Sequence, residues 1–171
     1  MFIILNGPLG IGKSTLAEAL MESIDGCVML NGDGLIAANP QQDDELEHLH
    51  STITLLVAHH MKFGYGNFVI EHLWQTSAEL DGLRETLARV APGMPVHCFL
   101  LTLSAQENLN RIERRQAARA IDEREFELRT FVRERDALAG ASDIGEPFDV
   151  SATPSELVSL MLQRIEQRNS N

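Results

Sequence analysis

The sequence predicts an α/β fold, a three-layer sandwich in which a five-stranded parallel sheet carries helices on both faces. Three observations predict it. Apolar runs of strand length alternate with segments of helical periodicity through all 171 residues. Breakers separate them, at Gly64-Tyr65-Gly66-Asn67, Pro92-Gly93-Met94-Pro95 and Gly145-Glu146-Pro147. A glycine-rich loop, residues 7–14, joins the first apolar run to the first helical segment. Strict alternation of strand and helix favours parallel pairing, because each helix crosses over the sheet and returns the chain to the same edge.

The elements follow in order. A strand is expected over 2–6, where Phe2-Ile3-Ile4-Leu5 is apolar throughout, as a strand covered on both faces must be. A helix over 14–23 and a strand over 27–31 come next. An acidic, histidine-bearing helix is expected over about 43–63, then a strand at 68–71, a helix at 77–90 and a strand at 96–102. Helices at 105–117 and 123–139, a short strand at 148–150 and a helix at 154–168 complete the series. Ser104 and Thr153 suit helix N-caps, and Pro154 suits a first helical position. No repeat, low-complexity tract or linker divides the chain, so a single domain over 1–171 is expected.

Composition narrows the function classes. The N-terminal apolar run is only about four residues long, has no basic flank, and no later run approaches membrane-spanning length. Cys27 and Cys98 lie in strand-like segments without metal-site spacing, so two reduced, buried thiols and a cytoplasmic protein are expected. A net charge of −11 argues against nucleic acid and against anionic membrane as partners. The distribution of charge says more. Residues 1–50 hold one basic residue, Lys13, against eight acids, whereas eight of the fourteen Lys and Arg residues are arginines between 111 and 135.

The loop Gly7-Pro8-Leu9-Gly10-Ile11-Gly12-Lys13-Ser14 has the spacing G-x-x-x-x-G-K-[ST], set between a strand and a helix. Its glycines let the backbone curl so that successive N–H groups face a polyphosphate, and the following helix presents its positive end to the same anion. Gly7, Pro8, Gly10, Ile11, Gly12, Lys13, Ser14 and Thr15 are therefore expected to hold the phosphates of a nucleoside triphosphate. Lys13 would reach the β- and γ-phosphates, and the Ser14 hydroxyl would ligate Mg²⁺.

In parallel α/β sheets, ligands sit beyond the carboxyl ends of the strands. After the second strand stands Asn31-Gly32-Asp33-Gly34, where Asp33 is placed to orient an acceptor hydroxyl and take its proton. An ordinary Asp-Gly turn is the structural alternative. After the third strand, Glu71 is a candidate for the Mg²⁺ shell, with His72 and Trp74 following into an acceptor pocket where the indole would either stack on substrate or serve the core. Arg111, Arg114, Arg115 and Arg119 suit a lid over about 111–135 that closes guanidinium groups onto the transferring phosphoryl group. The remaining arginines there read as a solvated, acid-laced helix. His48, His50, His59 and His60 read as surface or acceptor-pocket residues rather than a metal site. Thr153, after the last strand, either borders the adenine or simply starts a helix.

Together these residues resemble the P-loop small-molecule kinases. The chain looks most like the chloramphenicol phosphotransferase group, and less like tunicamycin-resistance ATP-binding proteins and shikimate and gluconate kinases. The likeness rests on Ile3-Ile4-Leu5-Asn6-Gly7 leading into the loop, on Gly32-Asp33-Gly34-Leu35-Ile36, and on the Arg111, Arg115, Arg119 pattern. It implies a P-loop NTPase fold with a mobile helical lid and an acceptor-binding region of about 34–63. It further implies Lys13 and Ser14 on phosphates and Mg²⁺, Asp33 as base, and Arg111 near the adenine or phosphates. Asn31 stands where the shikimate kinase pattern has an acid, and Glu71-His72 replaces the paired acids of the chloramphenicol group.

The function expected is an ATP- and Mg²⁺-dependent phosphotransferase, Lys13, Asp33, Arg115 and Arg119 catalytic, acting on a small hydroxylated acceptor as a monomer or homodimer. The alternative is an ATP-binding switch or sequestration protein that transfers nothing. No guanine-reading Asn-Lys-x-Asp motif is present, which disfavours a GTPase.

Overall fold

The computed structural model describes residues 1–37, 44–116 and 121–169. Its elements run β1 (Phe2–Asn6), α1 (Lys13–Ser23), β2 (Cys27–Asn31), α2 (Gly32–Leu35), α3 (Glu45–Lys62), β3 (Asn67–His72), α4 (Ser77–Val90), β4 (Val96–Thr102), α5 (Ala105–Gln116), α6 (Ile121–Ala139), β5 (Glu146–Asp149) and α7 (Pro154–Asn169). The five strands form one sheet of order β2-β3-β1-β4-β5, every pair parallel. This is the P-loop NTPase fold, with β1 at the centre.

Alternation along β1 divides the interior in two, because successive side chains leave opposite faces of a strand. Ile3 and Leu5 join Leu16, Leu20, Phe99, Phe148, Met161 and Ile165 on the face covered by α1 and α7. Phe2 and Ile4 join Leu49, Ile53, Val57, Trp74, Leu80, Leu83 and Leu87 on the face covered by α3 and α4. All five β1 side chains are buried, the apolar run Phe2–Leu5 and the polar Asn6 that ends it.

Sequence signals and structure differ at three places. Gly32-Asp33-Gly34-Leu35 forms a single helical turn, capped by Asn31 Oδ1, which accepts the Gly34 N–H at 2.8 Å. The last strand begins earlier than expected, at Glu146, and the expected breaker Pro147 sits in register with Leu100. Proline is tolerated there because β5 is an edge strand with a free side. Cys27 is half-buried and Cys98 buried; both are free thiols, so only one matches the expected burial. Ser104 and Thr153 cap α5 and α7 as expected, each paired with the acid three residues on, Glu107 and Glu156. No helix among the described residues is long and apolar enough to cross a membrane.

Candidate functional site

The sheet register places the chemistry. Asn31 pairs with Glu71 and Glu71 with Leu5, so the ends of β2, β3 and β1 lie in one row at the carboxyl edge. The residues just past that row form a cavity of about 440 Å³. Its walls include Gly10, Gly12, Lys13, Ser14, Asp33 and Glu71, with Arg111 and Arg115 from α5.

The phosphate loop takes its shape from glycine. Gly7, Gly10 and Gly12 have φ of 155°, 73° and 106°, in the region that residues bearing a Cβ rarely adopt. Gly10 has a second reason: a Cβ there would lie 2.3 Å from Ile112 Cγ1. Lys13 Nζ donates to the Gly7 and Pro8 carbonyls at 2.8 and 3.3 Å, folded back over the loop. Burial pushes the Lys13 ammonium below its ordinary pKa, opposed by the negative charges of Glu71, Asp33 and Glu134. A buried ammonium beside a glycine-rich loop at a helix N-terminus suits a polyanion.

Ser14 Oγ donates to Glu71 Oε1 at 2.8 Å, and Asn31 Nδ2 donates to the same oxygen. Glu71 is 3% exposed. A hydroxyl and a buried carboxylate in contact at the loop suit Mg²⁺, which takes one or two protein oxygens and fills its shell with phosphate and water. Glu71 Oε1 thus accepts two hydrogen bonds, one of them from the Ser14 hydroxyl.

Asp33 projects from α2 with its side chain 77% exposed, and its Oδ1 lies 2.8 Å from His72 Nδ1. That hydrogen bond, with lesser help from the charges of His72 and Lys13 and against some desolvation, holds the carboxyl below the usual range. Gly32 permits the approach, since a Cβ there would meet the His72 ring at 2.8 Å.

On the other side, Arg111 Nη1 donates to Ile11 O at 2.8 Å and Nη2 to Val150 O at 2.7 Å, tying α5 to the loop and to the end of β5. Arg115 reaches the cavity but is paired at 2.9 Å with the buried Glu127 of α6. Arg119 lies outside the described residues.

Some expectations need correction. Of the two roles open to Trp74, the core role is the one its complete burial fits. Asn6, buried at the end of β1, donates to Trp74 O and accepts from its N–H, while the indole Nε1 donates to His50 Nε2 at 3.2 Å. His50 is accordingly buried rather than on the surface, and its ring borders a second cavity between α3 and α4 with Glu47, Ser51 and Gly82. Thr153 spends its hydroxyl on Glu156, and the cavity wall is made instead by its neighbours Ala152 and Pro154, with Val150 and Leu157. Among the described residues, no group of three or more His, Cys, Asp or Glu side chains could hold a metal.

One site residue has no signal in the sequence. Glu134, on α6, accepts the Leu9 backbone N–H at 2.6 Å, while Asn108 of α5 donates to Leu9 O at 3.1 Å. Both contacts span about a hundred residues or more, and neither residue belongs to a motif.

Comparison with known proteins agrees with this geometry. The chain resembles in structure a tunicamycin resistance protein of Deinococcus radiodurans (17% identity, TM-score 0.67, covering 96% of this chain and 94% of that one). It likewise resembles a gluconokinase from Sinorhizobium meliloti (22%, TM-score 0.68, 98% and 94%) and a shikimate kinase from Aquifex aeolicus (18%, TM-score 0.60, 100% and 99%). At such identities these likenesses establish the fold. No curated protein sequence matches the chain. The profile of the AAA_33 family, described as an AAA domain, matches residues 2–139, a span that takes in the phosphate loop, Asp33, Glu71 and α5. The chain belongs to that family of P-loop proteins.

Proposed function

We propose that this protein is an ATP-dependent phosphotransferase that moves the γ-phosphoryl group to a hydroxyl of a small molecule. The observation that carries the reading is Asp33. It shares one cavity with Lys13 and Ser14, and it is held ionised by His72 on the exposed side of the loop. A protein that only binds nucleotide has no use for a carboxylate there. The gluconokinase and shikimate kinase that share the fold are named for such transfers, and this supports the reading.

In this reading Lys13 leaves the Gly7 and Pro8 carbonyls for the phosphates of ATP, and the loop N–H groups hold the polyphosphate. Ser14, with Glu71 behind it, would hold Mg²⁺, which would supply neutralisation of the phosphate charge. Asp33 accepts a hydrogen bond from the acceptor hydroxyl and takes its proton. The acceptor oxygen bonds to the γ-phosphorus as the bond to the β,γ-bridging oxygen breaks, releasing ADP. Such a transfer needs mainly alignment and charge neutralisation. Arg111 fixes the wall between loop and β5, whereas Arg115, and Arg119 beyond it, act on the phosphoryl group once the pair with Glu127 opens. Residues of about 34–63 supply the acceptor side and those of about 111–135 the lid, within one domain working in the cytoplasm.

The acceptor is not a shikimate-type compound in this reading. Asn31 replaces the acid of that pattern and is spent on capping α2 and holding Glu71. The test is transfer from γ-labelled ATP with Mg²⁺ into an extract of small metabolites, with the organic phosphates resolved by mass. A labelled organic product that requires Asp33 supports the reading. Release of inorganic phosphate alone, unchanged in Asp33→Asn, favours an ATP-binding switch.

A further inference from the structure

Three carboxylates from three separate elements bear on Lys13: Asp33 of α2, Glu71 of β3 and Glu134 of α6. Two of them have evident work, at the acceptor hydroxyl and behind Ser14. Glu134 has none in the transfer itself, yet it is placed with care, its Oε2 on the Leu9 N–H in the middle of the phosphate loop. The cations of the cavity wall are Lys13, Arg111 and Arg115, and all are engaged. Lys13 serves the phosphates, Arg111 holds two carbonyls, and Arg115 pairs with Glu127 until it turns to the phosphoryl group.

Charge over the neighbouring chain points the same way. Between Lys13 and Arg84 run β2, α2, α3 and β3, and this stretch holds one Lys or Arg, Lys62, against eleven Asp and Glu. Lys62 ends α3 just before β3 begins, at the amino edge of the sheet. The length of β3 then separates it from the site by roughly 17 Å. An acceptor with a carboxylate or phosphate would approach Asp33 and Glu71 in the cavity wall and Glu134 beside Leu9 of the loop, and among the described residues each cation of that wall is already engaged; such juxtaposition is how sites reject a ligand.

We propose that the acceptor carries no negative charge: it is a neutral or amine-bearing hydroxyl compound, and Glu134 is the side chain that, with Asp33, selects it. The inference rests on the phosphotransferase reading above and names its substrate class. A carboxylate at Glu134 accepts hydrogen bonds from hydroxyl or ammonium groups and repels anions. On leaving Leu9 it also frees a loop N–H.

The test uses γ-labelled ATP with Mg²⁺ and three pools matched scaffold by scaffold: neutral polyols, aminopolyols and hydroxy acids. Wild-type protein is expected to label the neutral or amine pool at least about tenfold faster than the acid pool, about 1.4 kcal/mol of discrimination. Glu134→Lys should narrow or invert that ratio, and Glu134→Gln should narrow it less. Because each ratio is internal to one variant, partial loss of folded protein cancels; retained ADP binding verifies the fold. Faster labelling of the acid pool by wild type, or an unchanged ratio in Glu134→Lys, overturns the inference and leaves the phosphotransferase reading standing. Absence of Lys13-dependent label in every pool overturns both.

Discussion

At Asp33 one hydrogen bond sets both position and charge. His72 Nδ1 holds the carboxylate on the rim of the cavity and keeps it ionised at neutral pH. Asp33→Asn preserves shape and the neighbouring backbone but cannot take a proton. It is expected to lower the transfer rate by about 10²–10⁴-fold, with MgATP affinity unchanged by calorimetry; an unchanged rate would remove Asp33 from the chemistry. Glu71→Gln, by contrast, should raise the Mg²⁺ concentration needed for half-maximal activity, since Ser14 loses its charged partner. The motif residues were legible because phosphate binding demands glycine, lysine and hydroxyl at fixed spacing. Glu134 and the Trp74–His50 pair were not. Their roles arise from contacts across many residues, and a single Glu on a helix rich in Glu and Arg, or a single Trp after a strand, carries no periodic signal.

Among the elements, the loop and α5 form one packed unit. Gly10 backs onto Ile112, Leu9 O accepts from Asn108, and Arg111 ties α5 to Ile11 O. Gly10→Ala sets a methyl into Ile112 at a φ of 73°, so overpacking and backbone strain act together. A loss of about 1–3 kcal/mol in denaturant unfolding is expected, with weakened ATP binding; Gly26→Ala, which meets no neighbour within 4 Å, should leave ATP binding intact. Strands β1, β2 and β4 were readable to the residue, because apolar runs bounded by turns admit little else. The turn α2 was not, since two glycines oppose a helix, and it is held by the Asn31 cap and by tertiary packing, including that of Gly32 against His72. The start of β5 was hidden by Pro147, which marks a breaker in sequence and an edge strand in space.

For the whole molecule, two half-cores flank a sheet whose carboxyl edge is left to polar groups. Two histidines belong to the buried frame, and burial pushes both His50 and His97 below their ordinary pKa. At His50 the charge of His72 adds to the effect and Glu79 opposes it; at His97, Arg168 and the N-terminus add to it. The unfolded chain therefore binds protons more readily near pH 6.5 than the folded one, so stability is full above that pH and falls below it. The melting temperature is expected to drop between pH 7 and 5.5, and His50→Gln should flatten part of the drop. An unchanged pH profile in the variant would show that His50 is not held neutral. The fold was legible as a whole because alternation, breakers and loop agree with one another. The acceptor was not, because the two side chains proposed to select it, Asp33 and Glu134, stand on α2 and α6 and share no sequence pattern.

The account stands on the phosphate loop as the nucleotide site, and calorimetric titration of MgATP into wild type and Lys13→Ala tests that most directly. Saturable one-to-one binding by wild type, weakened at least about tenfold in the variant, a change of about 1.4 kcal/mol, is the predicted result. Equal binding by both proteins, or none by wild type, would contradict it.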